Sequence, residues 1–172
     1  VGGKRFATVS LGSGYRAHPL TKGEEAAQDR LYVLFDKLQY GVLNESFRAI
    51  DNTQLTDITT SYDEKIGDYG WYINLNRENG EKALARATTL DNKIFFTTFI
   101  PDQSGDENSC ANAMHMGNVY AMDILSGKSI INFSSGSESG GEASLNDLNI
   151  DDRFFSVNTV DILSHVYFHV GK

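Results

Sequence analysis

An all-β chain of stacked antiparallel sheets, β-propeller-like in organisation, is the fold class that three features of this sequence predict. Residues 93–100, KIFFTTFI, are apolar on both alternating faces, with Ile94 and Ile100 on one and Phe95 and Phe99 on the other. A strand with one wet face alternates apolar and polar residues, so this one is expected to be covered on both sides. Directly before it, Asp91-Asn92 sits between Leu90 and Lys93. Both residue types tolerate the positive φ of a tight turn, which predicts a two-residue hairpin. Finally, four of the eight tyrosines (Tyr32, Tyr72, Tyr120 and Tyr167) lie between two apolar neighbours, at spacings of 40, 48 and 47 residues. A four-stranded propeller blade takes roughly 40–50 residues. A closed ring usually needs about 4–8 such blades, so 172 residues predict one domain spanning 1–172, a partial or incomplete propeller or a fragment of one.

Taken in order, residues 5–11 read as a strand anchored by Phe6 and Val9. It ends at Gly12-Ser13-Gly14, where two close glycines mark a bend or an approach of backbones. Residues 21–38 carry two signals. Thr21 with Glu24 fits a capping box and Leu31, Leu34, Phe35 and Leu38 fit a helical face. The continuous apolar run 31–35, with Tyr, Val and Phe, favours a strand. The reading adopted is a short helical or looped 22–28, then a strand over 30–36. Residues 41–53 are polar and irregular, 55–60 are a Thr- and Ile-rich strand, and 61–69 are an acidic turn region. Residues 71–75 alternate cleanly, with Trp71, Ile73 and Leu75 on one side.

Residues 83–90 have helical composition, but the hairpin turn that follows requires a strand, and turn chemistry is the stronger signal. A long polar loop over 101–117 leads to a strand at 118–123, a turn at 125–128 and a returning strand at 129–133. Residues 134–144 are rich in Ser, Gly and Glu. Residues 153–157 and 165–170 complete the expected strands.

Composition bounds the function. Hydrophobic and charged fractions of 40% and 22% are globular values. A net charge of −8 argues against a nucleic-acid or anionic-membrane partner, because both repel an acidic surface. No apolar run reaches the roughly 18 residues of a membrane span. The chain opens abruptly on a strand-like segment without a signal peptide, which reads as the middle of a larger protein whose N-terminal part is absent. Cys110 is the single cysteine. It is either a lone loop thiol or half of a disulfide to sequence not present here.

Catalytic signals are sparse. There is no G-x-S-x-G, P-loop or H-E-x-x-H pattern. His165 and His169 could neighbour each other as a metal pair, but no Cys or carboxylate accompanies them at ligand spacing. Gly12-Ser13-Gly14 lacks the further glycine of a phosphate loop.

The segment GNVYAMDILSGK (117–128) resembles the quinoprotein-type blade repeat. Gly127 would supply its left-handed turn position, and Asp123 would accept backbone N–H groups across the turn. LGSGYRAHPL (11–20) with QDRLYVLFD (28–36), then GWYINL and GEKALARATTLDNKIFFTTFIPD (within 70–102), Cys110 and GNVYAMDILSGK, resemble the PilC/PilY family of type IV pilus tip-associated proteins. These segments occur in the family's order and cover most of residues 1–128.

The resemblance implies a C-terminal β-propeller domain on a large exported protein, non-enzymatic, at the pilus tip, cell surface or outer membrane. It implies roles in pilus biogenesis, twitching motility and surface adhesion, with minor pilins or a host or surface receptor as partners. It also implies calcium, held by an acidic loop with alternating oxygen donors. Asp147, Asn149 and Asp151 are the candidate ligands, although Asp152 stands where such loops carry Gly. A second candidate run is Asp102, Ser104, Asp106 and Asn108. Both lack a bidentate carboxylate, and solvated acidic loops are the competing reading. The alternatives for function are a quinoprotein-like dehydrogenase fragment, against which stands the lack of a vicinal cysteine pair, and a generic propeller scaffold.

Overall fold

The computed structural model describes residues 7–22, 28–36, 49–102, 115–133, 148–159 and 161–169. Among these residues, eight strands form two four-stranded sheets. The first contains β1 (Ala7–Gly12), β2 (Arg30–Asp36), β3 (Thr56–Asp57) and β4 (Gly70–Asn74), in the order β1-β2-β4-β3. The second contains β5 (Thr88–Leu90), β6 (Lys93–Thr97), β7 (His115–Asp123) and β8 (Phe154–Thr159) as a sequential meander. All pairings are antiparallel except β3 with β4. The fold is therefore all-β; the described residues form no closed ring.

The core lies between the sheets. Leu31, Val33 and Phe35 of β2 join Trp71 and Ile73 of β4 and Leu75 just after it. They meet Ile94 and Phe96 of β6 and Tyr120 and Met122 of β7. The period-2 alternation of each strand selects these residues. Phe96 and Tyr120 are cross-strand partners that stack with ring centroids 4.3 Å apart. Trp71, fully buried, donates its indole N–H to the Ile124 carbonyl at 2.9 Å and so ties one sheet to the other.

The two turn predictions hold. Asp91 (φ 49°) and Asn92 (φ 58°) both occupy left-handed conformations and join β5 to β6, with Leu90 paired to Lys93. Gly127 has φ 65°, and Asp123 Oδ1 accepts from the amides of Leu125 (3.1 Å) and Ser126 (2.8 Å). A Cβ on Gly127 would lie 2.3 Å from Ile58 Cδ1, because this turn rests on the opposite sheet. Gly12 and Gly14 mark a close approach as expected: Cβ atoms there would lie 2.6 Å from Ala83 Cβ and 2.9 Å from the Ala83 carbonyl oxygen.

The covering of β6 on both faces also holds, by a different agent than a neighbouring sheet on each side. One face meets the first sheet; the other lies under residues 161–169. Thr97 donates to the Ser164 carbonyl (3.0 Å), Thr88 to the Val166 carbonyl (2.8 Å), and Phe95 meets Phe168 edge-on at 4.7 Å. A Cβ on Gly117 would come within 2.5 Å of Leu163 Cδ1. These anchors are side-chain bonds, so 161–169 is no strand, contrary to the expectation for 165–170.

Three further expectations are corrected. Residues 129–133 do not return as a strand; a single bridge joins Ser129 to Met122. Over 83–90 only Thr88–Leu90 is a strand, because the chain nearby is held instead by the Lys82–Phe99 bridge and by Ala83 N–H donating to the Ser13 carbonyl. The tyrosine spacing marks no structural repeat. Tyr32 and Tyr72 are direct partners in one sheet, facing away from the core, whereas Tyr120 faces into it. Most of 22–28, 41–48 and 134–144, with Cys110, Asp147, Ser104, Asp106 and Asn108, lie outside the described residues.

Candidate functional site

Two of the three expected calcium ligands are described, and the structure brings them together around a helical cap. Asn149 precedes a single 3-10 turn over Ile150–Arg153 and accepts the Asp151 amide at 2.8 Å, while Asp152 Oδ2 accepts the Asn149 amide at 2.9 Å. This is a reciprocal capping box. Asp151 instead pairs with Arg77 at 3.2 Å. Asn149 Oδ1 and Asp151 Oδ1 are thus each engaged within the protein. Among the described residues no cluster of three or more His, Cys, Asp or Glu could hold a metal. Alternating Asx residues signal a cap as readily as an ion loop, and here they form a cap.

The densest polar constellation is one that sequence reasoning missed. Glu81 is 1% exposed, and its Oε1 accepts from Thr98 Oγ1 (2.7 Å), Asn118 Nδ2 (2.9 Å) and Tyr120 OH (3.0 Å). Its Oε2 accepts the Arg77 amide at 3.0 Å. Ser156 Oγ extends the network by donating to Asn118 Oδ1 at 2.7 Å. A buried carboxylate is tolerable only when its lone pairs are met in this way. Burial, and then the Glu81 charge, push the Tyr120 phenol well above its ordinary value, so it stays a donor. The network pins the chain before β5 onto β6 and β7. Nearby Lys82, lowered by burial, donates from Nζ to the Thr21 and Gly80 carbonyls.

A second buried charge is Arg153, fully enclosed, which donates to the Ile58 and Ser61 carbonyls and lies 5.4 Å from the Tyr62 ring centroid. Burial brings its pKa down to about 10, and its Nε has no partner among the described residues. Tyr62 OH bonds Ser129 Oγ at 2.7 Å, and Lys128 pairs with Asp63 at 2.6 Å. Together these contacts latch the segment after β3 onto the turns of the second sheet.

The outer face of the first sheet is the accessible constellation. Pairing places Leu11 beside Tyr32, Tyr32 beside Tyr72, and Tyr72 beside Asp57; the next row carries Val9 beside Leu34. Val9 and Leu11 are 45% and 52% exposed. The tyrosine rings lie 6.0 Å apart, and Arg30 stacks over Tyr72 at 4.9 Å while its Nε donates to Asn74 Oδ1 at 2.7 Å. Burial would raise Asp57, but bonds from Thr59 and Tyr72 and the Arg30 charge outweigh it and hold the carboxyl below its ordinary value. The face is therefore apolar at the β1 edge and polar toward β3. The alternation of 30–36 and 71–75 contained it in principle, because residues opposite a buried stripe must face outward.

The histidines do not assemble. His115 Nδ1 accepts the Asp102 amide at 3.0 Å, and His165 packs on Tyr167 at 4.2 Å. No helix among the described residues is long and apolar enough to cross a membrane. No protein-family model matches the chain, and neither does any curated protein or solved structure.

Proposed function

We propose that this chain is a non-enzymatic interaction domain of an exported, type IV pilus-associated protein that acts in pilus biogenesis, twitching motility and surface adhesion. The observation that carries the interaction reading is the outer face of the first sheet, where Val9 and Leu11 stand exposed beside Tyr32 and Leu34. Contiguous apolar surface of this kind is typical of contact sites. The pilus assignment rests on the resemblance of 11–36, 70–102 and 117–128. The turn at Asp123–Lys128 supports the blade-repeat part of that resemblance, because Gly127 and Asp123 do what the repeat requires of them. The second sheet, a four-stranded antiparallel meander, is also the arrangement of a single propeller blade.

In this reading the partners are minor pilins or a surface receptor, met at the pilus tip or cell surface. Calcium at Asp147, Asn149 and Asp151 belongs to the same proposal and would compete with Arg77 for Asp151. Isothermal titration comparing the parent with Asp151→Ala should show lost binding; equal heats would remove that loop. The decisive experiment is genetic. Deletion of the gene should abolish piliation or twitching, and Val9→Asp with Leu11→Asp should fail to restore it. A deletion strain with normal pili and normal twitching would refute the assignment.

A further inference from the structure

We propose that β1 is a self-complementary pairing edge through which two copies of this chain join in one continuous sheet. Among the described residues, strand β1 borders only β2. The Ser13 amide donates to the Arg30 carbonyl at 2.8 Å, which fixes the parity of the β1–β2 ladder. Bonded pairs in an antiparallel ladder recur every second residue. Val9 and Leu11 therefore direct their backbone groups to β2, while the N–H and C=O groups of Thr8, Ser10 and Gly12 point away from it.

Natural edges are blunted by charge, proline, bulges or brevity. The sequence of β1, ATVSLG, contains no charged residue and no proline and pairs in continuous register. The edge strands β3 and β5 have only two and three residues. At the remaining edge, β8, Phe133 already packs on Phe155 at 4.9 Å.

Two antiparallel copies of β1 centred on Ser10 bring Ser10 opposite Ser10 and Thr8 opposite Gly12. This register uses every outward-pointing backbone position of the strand. Between the bonded pairs, Val9 of each copy stands opposite Leu11 of the other, where side chains approach most closely. Both are exposed on the same face, so the pairing buries the apolar residues that each copy leaves in water. Sliding by one residue would set bonded positions against non-bonded ones. Sliding by two leaves Gly12 or Thr8, according to direction, without a partner in the strand. A second copy is also the occupant that the charge pattern favours. Chains of net charge −8 repel over most of their surface, and β1 is an uncharged strip.

Analytical ultracentrifugation over a concentration series tests this independently of any role in pili. The parent chain should show a reversible monomer–dimer equilibrium. Ser10→Pro deletes an outward N–H without touching a β1–β2 bond, at an edge position where proline is tolerated, and Leu11→Lys places charge on the seam. Each should weaken association at least about tenfold, with circular dichroism and melting confirming the fold. Leu90→Lys, at an exposed apolar site on β5, should leave association unchanged. A parent that stays monomeric at every concentration, an undiminished dimer in folded Leu11→Lys, or equal weakening by Leu90→Lys would overturn the proposal.

Discussion

The two sheets share one core but differ in what covers their backs. The second is closed on both faces: sheet one lies on its inner side, and 161–169 lie on the other, held through Thr88, Thr97 and Phe95. It is further stapled from within by Glu81. The first sheet is closed on its inner face alone among the described residues, and its back shows Val9, Leu11 and the Tyr32–Tyr72 pair. Stability and accessibility are thereby divided between two halves of similar architecture. The covered meander gives the open sheet a packed second layer.

The sharpest way to break this comparison is Glu81→Ala, which leaves the buried Thr98, Asn118 and Tyr120 donors without their acceptor. It should cost about 3–5 kcal/mol in chemical denaturation, and a loss under about 1 kcal/mol would mean that the network is not what holds the second sheet. Gly117→Ala should follow, at about 1–3 kcal/mol, because its Cβ would press Leu163 and the Thr98 carbonyl. Hydrogen exchange should then quicken first in 161–169. Gly127→Ala should cost about 1–2 kcal/mol through its left-handed φ, read as a lowered melting temperature.

On the open face, Val9→Thr and Leu11→Thr should each change stability by less than about 0.5 kcal/mol. A large loss there would show that the face is covered. The smallest expected effect is on acidification. The Asp57 carboxyl is held below its ordinary 3.8, so its contribution is complete above that value and fades as pH falls through the lower folded one. Asp57→Asn should flatten the melting profile in that acid range alone.

Local chemistry was legible and distant contacts were not. Asp91-Asn92 declared its hairpin because positive φ is a property of two adjacent residues, and 30–36 matched β2 to the residue. Asp123 and Gly127 were readable for the same reason. Double-sided burial of 93–100 was visible, but not its cause, since a strand's own pattern records that it is covered and not by what. Residues 165–170 alternate like a strand, yet Val166 and, just before the range, Ser164 are held through their carbonyls by the hydroxyls of Thr88 and Thr97. The tyrosine period failed because spacing along the chain ignores which way a strand turns its side chains. Glu81 gave no signal at all: a lone glutamate after Asn79-Gly80 reads as solvated, and its acceptors' partners come from residues 17, 37 and 39 positions away.

Trp71 is the chain's single tryptophan, and it stands where the sheets meet, its indole bonded to Ile124. That placement makes the seam optically visible. Emission should stay blue-shifted and shielded from quenchers while 161–169 lift or the β1 edge changes partners. It should shift red only when one sheet leaves the other, so one fluorophore can separate loosening of the back from opening of the core.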